Sequence, residues 1–164
     1  MKFRYLILAG IAVAAISVGH QGTAVADAAH GAGFKFGKPG SASEVIRTIH
    51  LDMRNMSYGV KNIDTKEGET IRFVLKNSDD SEHDFTIGPP DVQAAHRKEM
   101  MEMMDNDTDM SKHHRDPNAV FVNAGETREL IWTFATADGL EFGCNVPGHY
   151  EAGMKGRINV AHGH

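Results

Sequence analysis

The 164-residue sequence has a single cysteine, Cys144, so no disulfide can form within the chain. It has no basic excess: 17 Lys and Arg face 22 Asp and Glu, a formal net charge of −5. With no basic stripe or motif, nucleic-acid binding is excluded as an expectation. Its apolar run, residues 5–18, is shorter than the roughly 20 residues that a membrane-spanning helix needs. No twin-arginine pair precedes that run, and no internal repeat is visible.

What is present at the start reads as an export signal, residues 1–26. Lys2 and Arg4 supply a positive start, the apolar run follows, and Ala24, Val25 and Ala26 make a small-residue cleavage site. An uncleaved membrane anchor is the alternative. The general secretory route exports an unfolded chain, so any metal would be acquired afterwards, in the periplasm, with no stable membrane insertion once the signal is cleaved. Cleavage removes Lys2 and Arg4 and no acid, leaving 138 residues with a formal net charge of −7. That is enough for one domain with its own core. In an oxidising compartment, Cys144 is then a free thiol at risk, a link between chains, or a thiolate capped by metal.

Residues 27–43 are rich in Gly, Ala and Ser and contain His30, Phe34 and Phe36. They predict a flexible lead-in, or an arm that packs its two aromatics onto the domain. The domain itself is placed at 44–164. Strands are predicted at 44–53 (Val45, Ile49, Leu51 and Met53 on one parity), 58–63, 70–76 and 84–87. In the third of these, Ile71, Phe73 and Leu75 oppose Arg72 and Lys76. Residues 91–118 break the pattern: a helix capped by Asp91 and running to about Met104, then a polar stretch ending at Pro117. Strands resume around Leu130, Trp132 and Phe134, at 140–144 and at 155–160. Short alternating strands with regular turns predict an antiparallel sandwich or barrel, with 91–118 as an insertion.

Residues 141–154 carry the chemistry. Cys144, His149 and Met154 are spaced five residues apart, with Pro147, Gly148 and Gly153 bending the chain between them. Thiolate, imidazole and thioether on one loop make a soft-metal set. With a second histidine they form the His2Cys centre with a weak axial Met that holds copper for electron transfer. The competing reading is an inert buried cysteine with His and Met as packing.

This loop resembles the copper-binding loop of the cupredoxins, the type 1 blue copper proteins, with azurin-like and auracyanin-like spacing. The resemblance spans about 48–160 apart from the insertion. It implies an all-β, cupredoxin-like Greek-key β-sandwich with the copper at one end. It also implies that the upstream ligand is His83, which follows a strand and a polar loop. The implied set is His83, Cys144 and His149 as equatorial ligands and Met154 as the axial one; a lone exposed loop histidine is the other reading of His83. Many family members have Asn or Ser after the upstream histidine, where it ties the two ligand loops together. Here the residue is Asp84, which either lies ionised near the copper or faces solvent with the tie made elsewhere. One loop cysteine excludes a dinuclear electron-transfer centre, and Gly143 and Asn145 beside it do not suit coupling to a multicopper cluster. Four ligands leave no open position for substrate, so an enzyme is not expected.

His96, Met100, Met101, Met103, Met104, Met110, His113 and His114 crowd into the insertion. Residues four apart share a helix face, so His96, Met100 and Met104 line up. With His113 and His114 they would form a secondary copper-collecting surface; the alternative is a Met stripe packed on the sandwich. His30, His162 and His164 add weak surface donors. The leader, Gly-rich arm and Met/His segment before 116–120 look similar to exported bacterial copper-tolerance cupredoxins, which favours copper handling. The alternatives are a soluble carrier between respiratory or photosynthetic partners and a metal-independent structural sandwich. A redox partner such as a cytochrome or a copper oxidase, and a monomeric chain, complete the expectation.

Overall fold

The computed structural model describes residues 34–106, 109 and 116–162. The predicted signal, His30, Met110, His113, His114 and His164 lie outside them. Among the described residues nine strands form two sheets. β1 (Gly37–Pro39), β7 (Thr127–Phe134), β4 (Thr70–Asn77) and β2 (Arg47–Met53) make one, in that order. β3 (Asn62–Lys66), β9 (Lys155–Ala161), β8 (Leu140–Gly143), β5 (His83–Gly88) and β6 (Ala119–Val122) make the other. One helix, α1 (Pro90–Asp105), leaves the end of β5. Among the described residues no helix is long and apolar enough to cross a membrane.

Period-2 patterning builds the sandwich. Ile71, Phe73 and Leu75 of β4 and Leu130, Trp132 and Phe134 of β7 point inward. They meet Phe85, Ile87, Phe142 and Ile158 from the other sheet in one core. Burial of such side chains stabilises by roughly 1.5–3 kcal/mol each. Tyr58 packs edge-on against Phe85 and Phe142, and its hydroxyl donates to the backbone carbonyl of Asp84.

The sheets are mixed, where the alternation predicted antiparallel pairing. β2 runs parallel to β4, and β3 parallel to β9. The chain crosses from β2 to the other sheet for β3 and returns for β4, which therefore runs parallel to β2. The predicted extended piece at 58–63 begins as strand only at Asn62. Ahead of it Asn55 and Met56 adopt positive φ (52° and 56°), which turns the chain. The arm takes the packed alternative: Phe34 and Phe36 stack at 4.8 Å and both lie against Trp132, with β1 paired to β7.

Helix α1 starts differently from the prediction. Pro89 is its N-cap and Pro90 its first residue, so Asp91 lies in the first turn and makes no capping bond. A proline at that position has no N–H to leave unsatisfied, and an acid there still favours the helix dipole. The inward face is Gln93, His96 and Met100, spaced three and four residues apart.

Candidate metal centre

β5 lies between β6 and β8, and Thr86 pairs with Gly143. This register sets the start of β5 beside the end of β8, so His83 and Cys144 meet although 61 residues separate them. Cys144 is fully buried, with its thiol accepting from the backbone N–H of Asp84 at 3.3 Å. The loop then returns over it. His149 N–H donates to Val146 O, Met154 N–H to His149 O, and Cys144 N–H to Met154 O, each at 3.0 Å. Gly148 and Gly153 sit at φ +86° and +96°, the left-handed region that lets the loop curl this tightly. Met154 is fully buried.

The loop brings three donor atoms to one place. Cys144 Sγ lies 3.3 Å from His149 Nδ1 and 3.9 Å from His83 Nδ1, and the two Nδ1 atoms are 3.3 Å apart. A point equidistant from these corners is about 2.0 Å from each, the length of a metal–imidazole bond and a little short of a metal–thiolate bond. Size and donor type thus suit a soft transition metal. His83 Nε2 is held by the Asp79 carboxylate at 3.1 Å, which leaves Nδ1 for the cluster. Such an outer partner orients a ligand imidazole. Sequence reading missed Asp79, which lies in the polar loop before β5, where a spacing of four residues does not by itself place two side chains together. Burial, and then the charge of Asp84, pushes the Cys144 thiol well above its ordinary range. Burial, and then the neighbouring His83, pushes the His149 imidazolium below its ordinary value. His149 therefore meets a cation as a neutral ligand, while Cys144 must give up a proton to it.

Asp84 faces inward rather than towards solvent, and it makes the tie between ligand loops. Its Oδ2 accepts from the backbone N–H and the side-chain amide of Asn145, each at 3.2 Å, and from Thr86 Oγ1 at 2.8 Å.

The expected copper-collecting face on α1 is not the face the helix presents. His96 and Met100 are buried against the sandwich, while Met101 and Met104 are each 51% exposed. Helical geometry turns the 93–96–100 stripe inward, and Met104 projects past the end of the contact. His96, Glu99 and Asp116 do converge within 4.8 Å. His96 Nδ1 is 2.9 Å from Asp116 Oδ2 and Nε2 is 3.5 Å from Asp84 Oδ2. Burial alone would push the imidazolium down, but the bonds and charges of Asp116 and Asp84 outweigh it and raise it to about 10. In this arrangement His96 lies as a cation between two carboxylates.

Comparison with known proteins agrees with this geometry. The profile of copper-binding proteins of the plastocyanin/azurin family matches residues 46–161. The copper-resistant cuproprotein CopI of Pseudomonas aeruginosa is 38% identical over an alignment 180 positions long, covering 96% of this chain and 97% of that protein. The protein of the same name from Rubrivivax gelatinosus is 39% identical over 170, covering 98% and 99%. Among solved structures, auracyanin B superposes with a TM-score of 0.58 at 21% identity, covering 79% of this chain and 96% of that one. Reduced auracyanin from Roseiflexus castenholzii gives 0.56 at 27%, covering 71% and 98%. The sandwich is thus the cupredoxin fold, and copper is the metal of the family. This chain belongs to the plastocyanin/azurin family of copper-binding proteins, as a cupredoxin of the copper-resistance type.

Proposed function

We propose that the chain is an exported, periplasmic type 1 copper protein that serves copper tolerance, with His83, Cys144 and His149 as equatorial ligands and Met154 as the weak axial donor. The observation that carries the reading is the triangle of Sγ and two Nδ1 atoms, with His83 and Cys144 buried and His149 half-buried, closed by a loop whose own backbone bonds fix it. Bound there, copper would supply one-electron chemistry between Cu(I) and Cu(II). The chain's part is to hold the donors in one arrangement for both states. Asp79 fixes His83, the backbone N–H of Asp84 holds the sulfur, and the core residues around Met154 exclude water. Four donors leave no position for a substrate, so we read the protein as a binder and electron donor rather than an enzyme. The likeness to copper-resistant cuproproteins over nearly the whole chain supports tolerance as the role.

A second reading, a soluble electron carrier, is favoured by one feature. A groove of about 440 Å³, lined by Met101, Pro147 and Gly148 with Arg97, Lys98 and Glu151, adjoins the loop one residue before His149 and gives a redox protein a place to dock.

Titrating the metal-free protein with Cu(II) while recording the visible spectrum tests the site. One equivalent should saturate an intense thiolate-to-copper band that Cys144→Ser abolishes. Absence of the band overturns the reading. Deleting the gene separates the roles: copper sensitivity with normal respiration supports tolerance, and a respiratory defect alone supports the carrier.

A further inference from the structure

Two side chains of the inserted helix, Gln93 and Arg97, reach the metal loop, and a third, His96, reaches Asp84 on β5 behind it. Gln93 accepts from the Asn145 amide at 2.8 Å and donates to Thr86 O at 2.8 Å, joining the residue after Cys144 to β5. Arg97 donates to Asn145 Oδ1 at 3.3 Å, lies 4.0 Å over the Tyr150 ring and pairs with Glu151 at 3.3 Å. His96 stands between them against Asp84. The helix therefore grips the loop on both sides of Cys144 and His149.

Asp84 makes this grip consequential. Its side chain is wholly buried, and an ionised carboxylate in such a place costs several kcal/mol unless it is paired and hydrogen-bonded. Four donors gather at its Oδ2: the Thr86 hydroxyl, the backbone and side-chain N–H groups of Asn145, and His96. Of these four only His96 carries a positive charge. The carboxylate is also the tie between the strand that bears His83 and the loop that bears Cys144.

We propose that His96 is a positioning residue of the metal centre: by ion-pairing with buried Asp84 it fixes the carboxylate that joins the two ligand loops, and offsets its charge beside the thiolate. The insertion thereby helps set the reduction potential of bound copper from the inside. A carboxylate whose charge is less offset would favour the more positive, oxidised state, so loss of His96 lowers the potential. The proposal rests on the reading of His83, Cys144 and His149 as the copper site.

The test is a cycle of His96→Gln, Asp84→Asn and the double variant in the full protein, each measured with and without copper. In the copper-loaded proteins, His96→Gln should lower the midpoint potential and displace the thiolate-to-copper band. In the Asp84→Asn background the same change should do neither. His96→Lys, which restores the charge, should bring the potential back towards that of the parent. In the metal-free proteins, unfolding by denaturant should show that the two single losses are not additive. Should His96→Gln fail to fold while the double variant folds, the coupling is equally supported. A folded His96→Gln with parental potential and band, or with a raised potential, overturns the proposal, as do additive losses in the metal-free cycle. If the parent protein shows no thiolate-to-copper band, it is the copper-site reading that fails, and the metal-free cycle still judges the ion pair.

Discussion

Raising the pH of the metal-free protein from 6.5 to 8.5 isolates the energetics of His96. In the folded chain its imidazolium is held to about 10 by Asp116 and Asp84 against the opposing effect of burial; in the unfolded chain it titrates near 6.5. A base whose folded pKa is raised contributes stability that is whole below 6.5 and is lost as pH climbs through about 10. Across the two-unit window the folded state keeps a proton that the unfolded state gives up, at about 1.4 kcal/mol per unit, so about 2–3 kcal/mol should go. The window ends at 8.5 because Cys144, raised by burial and by Asp84, adds a loss of the same sign once the unfolded thiol ionises. It begins at 6.5 because His149, depressed by burial and by His83, makes stability fall on the acid side. The assay is denaturant unfolding at three pH values for the parent and for His96→Gln. The parent should lose about 2–3 kcal/mol more than the variant. Equal slopes would refute the assignment of His96 as a buried cation between two carboxylates.

A Cβ on Gly156 would stand 2.2 Å from the Phe142 ring and 2.6 Å from the carbonyl oxygen of Lys61, which already accepts from Arg157 N–H. Phe142 is locked between Tyr58 and Phe85, so Gly156→Ala should cost about 3 kcal/mol in chemical unfolding, and a loss under 0.5 kcal/mol would contradict the packing. Phe36→Ala should cost about 3 kcal/mol by the same measurement while leaving the copper spectrum unchanged, since the arm packs on Trp132 within the other sheet. A changed spectrum would mean that the arm bears on the centre.

Legibility divided along a physical line. The rise of about 3.3 Å per strand residue and the opposite facing of successive side chains make a strand's buried side readable in place, and Ile71, Phe73 and Leu75 are buried as the alternation predicts. The inward stripe of α1 was harder, because Met100 and Met104 are neighbours on an isolated helix; only the edge of the sandwich decides that one is covered and the other wet. The parallel pairings were invisible for a similar reason, since they follow from which sheet each strand joins, not from the strand's own pattern.

The sequence by itself determined the donor set of the loop. Cys144, His149 and Met154 lie within one short stretch whose glycines let it curl, so their convergence is a local matter. The tertiary structure alone decided what surrounds them. Asp79 behind His83, Asp84 turned inward to Asn145, and His96 brought from an inserted helix are partners across up to 61 positions of sequence. Such contacts leave no periodic trace in the chain, because they are chosen by the pairing of β5 with β8 and by which face of α1 the core claims.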